Sequence, residues 1–318
     1  FPEVKVRLDE NGYPIALERI ENDESHQLIE EFMLAANEAV ARELKNRLIP
    51  SIYRVHENPE PDKLAEYREL VLSYDYKAGD LTHREELQRL LASFRGKPEE
   101  QALKIGLLKS LKRARYAPQP LGHYGLSKTN YTHFTSPIRR YADLLVHRGL
   151  ISGLRLGPDG LGEHKAERFA DIGEHITSTE RRAAAAERDA VDRNLAAHMA
   201  HQVGNHFDAR VSGVTRFGLF VTLESNGASG IVPLGSLPDD RWTEDEAGRA
   251  LVGRRTGLRF TLGQAVEARL AEADPRTGSL MFHLLGGAPP PPTSASRGGS
   301  GRAVRGSGSG RGGVRRRS

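Results

Sequence analysis

The chain has 318 residues, 38% of them hydrophobic, with a single Trp, which is enough apolar material for one large domain and a small one. It contains no Cys, which excludes disulfides, Cys-ligated zinc and a thiol nucleophile, and its apolar runs are far too short to cross a bilayer. The formal charge is +4, but the seven Arg within residues 287–318, a stretch without Lys or acid, leave −3 on the preceding 286 residues; the basic character, and the hint of a polyanionic partner, belong to that tail.

In chain order, residues 4–8 and 15–20 alternate apolar and polar around Asp9-Glu10-Asn11-Gly12, and the Asn-Gly pair predicts a hairpin turn with positive φ. Asn22 or Asp23 then caps a helix with Leu28, Ile29, Phe32, Met33, Ala36 and Val40 at helical spacing and Pro50 just past its end. A short strand carries Arg54 and His56. Helices are expected at about 63–73, 82–94 and 98–116. Ser136-Pro137 starts the next helix, because Pro at the first helical position loses no needed N–H. A long charged helix follows at roughly 163–201, interrupted near 177–179 and supported by i,i+4 pairs. From Gly204 the period becomes alternating, with about five short strands to Gly286, the pattern of a small β-barrel. The Gly/Ser/Arg-rich remainder cannot bury enough apolar surface to fold.

The sequence opens with Phe1 and reaches its first Met at Met33, inside an expected helix, so a piece of a longer protein is expected. No basic-then-apolar leader stands at the start, and a cytoplasmic location is expected.

The most informative stretch runs from Tyr131 to Arg148. It sets the hydroxyls of Thr135 and Ser136 and the guanidiniums of Arg139 and Arg140 at a helix start, where free N–H groups and the helix dipole favour anions. Arg suits phosphate because its planar fork donates two parallel hydrogen bonds. Pairing of both guanidiniums with acids such as Asp143 is the competing reading, and the residues alone leave both open.

His133-Phe134-Thr135-Ser136-Pro137-Ile138-Arg139-Arg140-Tyr141, with Asp143-Leu144 after it, resembles the catalytic-domain signature of the ribonuclease II/R (RNB) family of exoribonucleases. The resemblance extends through residues 28–37, Tyr53-Arg54-Val55-His56 and Gly122-His123-Tyr124-Gly125-Leu126, and covers roughly residues 1–203. Gly213 to Val221 and Gly230 to Leu237 are similar to the S1-type RNA-binding domain, an OB-fold. The resemblance implies an α+β chain: the helix-rich C-terminal part of an RNB catalytic domain at 1–203, a five-stranded OB barrel at 204–286, and a disordered basic tail at 287–318.

It also implies hydrolytic, processive 3′-to-5′ degradation of RNA to nucleoside 5′-monophosphates. Arg139 would grip a phosphate near the scissile bond with Glu187 close by, and Glu30 would contact a terminal ribose hydroxyl. Ser136, Arg140 and Tyr141 complete the expected RNA contacts there. On the barrel the candidates are Phe217 and Phe220, of which Phe217 is the expected exposed ring, with Arg216 and His206 nearby, since bases stack on rings while basic groups track the backbone. Family members use Mg²⁺ held by an aspartate cluster, here expected upstream of Phe1. Asp239-Asp240 and the pair Asp189 and Asp192 are read as a barrel loop and a solvated helix face, so no metal ligands are expected in this chain and it alone should be inactive. The expected partners are single-stranded RNA and structured RNA with a 3′ overhang, with ribosome or RNA-decay partners possible, no membrane, and a monomeric state. The alternative is a non-catalytic S1-like RNA-binding protein.

Overall fold

In the computed structural model the described residues are 3–20, 23–97, 99–162, 166–245 and 250–285; the expected tail lies outside them. Strands β1 (Glu3–Leu8) and β2 (Pro14–Ile20) pair antiparallel as expected. The turn differs from the Asn-Gly expectation: Gly12 has φ +81°, but Asn11 does not enter the left-handed region. Instead the Asp9 carboxylate accepts the N–H groups of Asn11 at 2.9 Å and Tyr13 at 2.8 Å, and this side-chain turn lengthens the loop and shifts the register after Arg7.

Helix α1 (Glu24–Asn46) starts at Asp23, whose carboxylate takes the His26 N–H at 2.9 Å. The apolar stripe is where periodicity puts it, yet Leu28, Ile29 and Phe32 are exposed and burial begins only at Asn37, Ala41 and Leu44. Strand β3 (Tyr53–Val55) follows, then α2 (Pro61–Leu72), α3 (Arg84–Ser93) and α4 (Glu100–Ser110). These three helices share a core of their own, built on Tyr67, Val71, Leu87, Leu90, Phe94, Leu103 and Leu107. Gly106 permits the close approach of α4 to α2, since a Cβ there would stand 2.4 Å from Leu70 Cδ2.

The helix expected to run to Tyr116 ends at Ser110. Residues Arg115–Ala117 form β4 against β3, and Tyr116 is packed with Ile52, Ala142, Leu145 and Phe169; tertiary pairing outweighs local helical pattern here. Helix α5 spans Tyr141–Leu154 and α6 Phe169–Ala200. The interruption expected near 177–179 does not occur. Thr177 donates to the Gly173 carbonyl at 2.7 Å within the helix and accepts the Tyr116 N–H at 3.0 Å, so its hydroxyl ties α6 to β4 without breaking the turn. Residues 163–165, the expected start of this helix, lie outside the described residues.

Helix α6 joins the core around Tyr116 to the core of the barrel. Its first turns pack on β4, residues 181–190 are exposed on every side, and Leu195, Ala196 and Met199 enter the core of the barrel. A helix polar all round in its middle is typical of a bridge between packed units. The barrel closes in the order β11 (Ala265–Asp274), β12 (Ser279–Leu284), β7 (Ser229–Pro233), β6 (Gly218–Leu223), β5 (His206–Thr215), which is the expected five-stranded architecture. Gly218 (φ +146°) brings β6 against β7 where a Cβ would stand 2.1 Å from the Val232 carbonyl oxygen. A small sheet of β8 (Trp242–Glu244), β9 (Ala250–Gly253) and β10 (Arg259–Thr261) was not anticipated.

Candidate nucleic-acid interface

The loop from Tyr131 to Arg140 is held at every second or third residue. Buried Asn37 of α1 donates to the Tyr131 hydroxyl at 3.0 Å and accepts the Phe134 N–H at 2.9 Å. Thr132 donates to the Ile52 carbonyl at 2.6 Å, and His147 stacks on Phe134 with ring centroids 4.3 Å apart. The segment after it is not yet helix. Pro137–Arg139 form a turn whose Ser136 carbonyl accepts both Arg139 N–H at 3.3 Å and Arg140 N–H at 3.1 Å, and α5 begins four residues later than expected. The reason is Asp143, fully buried, whose Oδ1 accepts the Ser136 N–H at 2.8 Å and so ties the turn back onto the helix.

That carboxylate also separates the two arginines. Arg140 donates to Asp143 at 2.9 Å, so for Arg140 the competing reading, an ion pair, is the structural fact. Arg139 is exposed and has no ion pair among the described residues. Ile138 and Tyr141 beside it are exposed too.

Behind the loop lies a layer of rings. Arg54 of β3 pairs with Glu180 of α6 at 2.8 Å and lies 4.7 Å over the Tyr116 ring. Burial pushes the Tyr116 hydroxyl up to about 12. Burial, aided by the nearby Arg140 and Arg54 charges, lowers His133 to about 3. With Tyr116 protonated and His133 neutral, the 2.8 Å contact between them has Tyr116 donating to His133 Nδ1. His123 is lowered to about 4 by burial and by His56. This layer was not anticipated from the sequence. Arg54, His123 and His133 stand inside the stretches that carried the resemblance and Tyr116 and Glu180 outside them, and nothing in their spacing marked the contacts.

The remaining candidates are dispersed. Glu30 is exposed on α1 and Glu187 is exposed in the middle of α6. Among the described residues no hydrogen bond or ion pair joins either of them to Arg139. On the barrel, both Phe217 and Phe220 are exposed, at 63% and 41%. Phe217 is exposed as expected, and Phe220, expected to be the inward ring of the two, is exposed as well: Phe217 sits in the turn before β6, outside the alternation that buries Leu219 and Val221 and faces Phe220 outward. Arg216 lies 4.7 Å over the Phe217 ring. His206 is not near them. It opens β5 beside Glu267, at 3.7 Å, whereas Arg216 and Phe217 follow the other end of that strand.

No group of three or more His, Asp or Glu among the described residues is arranged to hold a metal ion. Asp189 faces Arg193 at 3.6 Å. Asp240 accepts the Thr256 hydroxyl and the N–H groups of Arg241, Arg255 and Thr256, which hold its carboxyl below the usual range and fix the loop between β9 and β10. These carboxylates do not fit a divalent-cation site.

A helix-and-strand unit with a basic, pinned loop is thus joined by one long helix to a closed barrel with exposed rings. Residues 1–155 match the RNB domain family and residues 200–282 the S1 RNA binding domain family. The chain thus carries the two family matches in tandem, an RNB domain match followed by an S1 RNA binding domain match. It is 38% identical over 287 residues to ribonuclease R of Aquifex aeolicus, covering 90% of this chain and 41% of that protein. Among solved structures it is similar to ribonuclease R of Mycoplasma genitalium in complex with ribose-methylated single-stranded RNA, with TM-score 0.80 and 30% identity over 90% of this chain and 45% of the other. It is also similar to the same enzyme in complex with double-stranded RNA, with TM-score 0.73 and 27% identity over 89% and 46%. The chain spans about two fifths of the length of the curated relatives it matches.

Proposed function

We propose that this chain is the RNA-gripping part of a hydrolytic 3′-to-5′ exoribonuclease that acts processively and releases nucleoside 5′-monophosphates. The single observation that carries the reading is the division of labour at Asp143: Arg140 is consumed by the buried carboxylate, and Arg139 is left exposed on a pinned turn, with no ion pair among the described residues. A guanidinium carried on a fixed turn and left to solvent is available to clamp a phosphoryl oxygen, and donors aimed at a developing charge stabilise it. The relatives named ribonuclease R, and the RNA complexes among them, support RNA as the ligand.

In this reading Arg139 is the catalytic phosphate grip, and Ser136, Tyr141 and Glu30 line the path of the strand. Arg140 acts through Asp143 as a positioning residue. Glu187 belongs to the same path, on the exposed middle of α6. Arg216, Phe217 and Phe220 form the barrel's stacking surface for single-stranded RNA, including the 3′ overhang of a structured RNA. The division into units at 1–203 and 204–286, followed by a basic arm at 287–318, is part of the proposal, as is Mg²⁺ dependence of the intact enzyme. The described residues hold no site for that ion, and the roles given are those of this chain's own side chains.

The test incubates this chain and the full-length product of its gene with labelled single-stranded RNA and Mg²⁺, scoring binding and monophosphate release. Binding by both with release by the longer protein supports the reading. Binding by both with release by neither favours an S1-like RNA-binding protein without catalysis.

A further inference from the structure

Behind the pinned loop, two residues make polar contacts that packing does not require. The Tyr116 hydroxyl donates to His133 Nδ1 at 2.8 Å, although a phenylalanine ring would fill the same core with Ile52, Ala142, Leu145 and Phe169. Arg54 is paired with Glu180 at 2.8 Å while its side chain is only 15% exposed. A pair drawn this far from water is often no more stabilising than apolar residues of similar volume; what the charges add is directional hydrogen bonding.

These contacts run in one line from α6 to the turn that presents Arg139. Tyr116 is fixed to α6 through its backbone: its N–H donates to Thr177 Oγ1 at 3.0 Å, and its carbonyl oxygen lies where a Cβ on Gly173 would approach to 2.9 Å. Glu180, three residues beyond Thr177 on the same helix, holds Arg54. The Arg54 guanidinium lies 4.7 Å over the Tyr116 ring, and the Arg54 N–H donates to the Tyr131 carbonyl at 3.0 Å. Arg54 therefore holds both the ring and the first residue of the loop, and Tyr116 reaches His133 two residues further along it. Burial first, then the charges of Arg140, Arg54, His123 and Arg139, keep that imidazole neutral, so Nδ1 accepts and the Tyr116 hydroxyl sets the tautomer. On the other side Asp143 closes the line, bound to Arg140 at 2.9 Å and to the Ser136 N–H at 2.8 Å. The charges of all four residues, Arg54 and Glu180 from one pair and Arg140 and Asp143 from the other, reach the Tyr116 hydroxyl.

We propose that Glu180, Arg54 and Tyr116 are positioning residues for the phosphate grip: they form a relay from α6 that holds His133 and so orients the turn carrying Arg139. This assignment rests on the reading of Arg139 as the phosphate grip and gives α6 a part in it through residues that do not touch the strand. Loss of one link leaves the loop anchored by Asn37, Thr132 and Asp143 but frees its middle, so the guanidinium samples directions that do not meet the phosphate.

The test uses the full-length product of this gene with labelled single-stranded RNA and Mg²⁺, measuring kcat for monophosphate release and RNA affinity side by side. Tyr116→Phe, which keeps the ring packing, and Glu180→Gln should each lower kcat roughly ten- to a hundredfold, the order of loss that a small misplacement of a reacting group causes, with affinity near wild type. In an Arg139→Ala background the same substitutions should bring no further loss, because they act through a guanidinium that is already gone. A packing role would instead lower kcat by the same factor in both backgrounds, and that result overturns the relay. A loss confined to affinity overturns it too, as does unchanged kcat in both single variants while Arg139→Ala is impaired; in these cases the grip itself stands. If Glu180→Gln fails to fold, Tyr116→Phe in the two backgrounds decides alone. Wild-type turnover in Arg139→Ala removes the grip and the relay together.

Discussion

Arg140 and Asp143 form a buried ion pair, with the guanidinium 2.9 Å from a carboxylate oxygen that also accepts the Ser136 N–H at 2.8 Å. Asp143 is fully buried, so the pair fixes the turn that presents Arg139 and draws Arg140 inward, leaving it half-buried.

Breaking that pair from one side should be costly. Asp143→Ala leaves a half-buried guanidinium unpaired and frees the Ser136 N–H, for a loss of ~3–5 kcal/mol measured by urea unfolding. Replacing both partners with apolar residues of similar volume (Arg140→Met with Asp143→Leu) should recover most of the loss. A single variant as stable as wild type would contradict the assignment.

Acid should destabilise the chain through its histidines. His133 is lowered from 6.5 to about 3 and His123 to about 4. Between those values and 6.5 the unfolded chain binds more protons than the folded one, so stability rises with pH across this window. The contribution is present in full above pH 6.5 and is lost as pH falls toward 3. His133→Asn keeps an acceptor for the Tyr116 hydroxyl but removes the titration, so the acid limb of a Tm-against-pH curve should become shallower. An identical limb in the variant would show that His133 is not held neutral by burial.

Gly173 allows α6 to cross β4. A Cβ there would stand 2.9 Å from the Tyr116 carbonyl oxygen, a backbone atom that cannot move aside cheaply. Gly173→Ala should therefore destabilise by ~1–3 kcal/mol despite alanine's better helix propensity, whereas a gain in stability would mean that the crossing is looser than described.

The barrel rings should separate binding from stability. Phe217 is exposed in a turn, so Phe217→Ala should change unfolding free energy by ~0.5 kcal/mol or less while weakening single-stranded RNA binding by ~1–3 kcal/mol. His206, at the other end of β5 beside Glu267, should matter far less. A larger loss of binding on His206→Ala would place the strand along a different face.

Much of this arrangement was legible in the sequence where one local rule decides the outcome. The cap had to fall at Asn22 or Asp23, both able to make it, and the alternation of residues 206–283 had no helical alternative, so α1, capped by Asp23, and the five-stranded barrel stand where they were expected. The failures are places where a distant partner outweighs the local pattern. Tyr116 leaves a helical run because β3 and the Ile52–Phe169 core claim it, and Thr177 keeps its helix intact because its hydroxyl has both an acceptor at Gly173 and a donor at Tyr116. The fate of the two arginines lay in between. Sequence offered phosphate grip or ion pair for both, and only the burial of Asp143 separates them, taking Arg140 into the ion pair and leaving Arg139 exposed.

The most direct measurement is the rate of monophosphate release from labelled single-stranded RNA by the full-length product of this gene, wild type against Arg139→Ala, with RNA affinity measured in parallel. A clamp that acts on charge developing at the phosphoryl group predicts a fall in turnover of ~10²–10³ with affinity nearly unchanged, because the barrel still holds the strand. Turnover equal to wild type, or a loss of affinity with turnover preserved at saturating RNA, would contradict Arg139 as the phosphate grip.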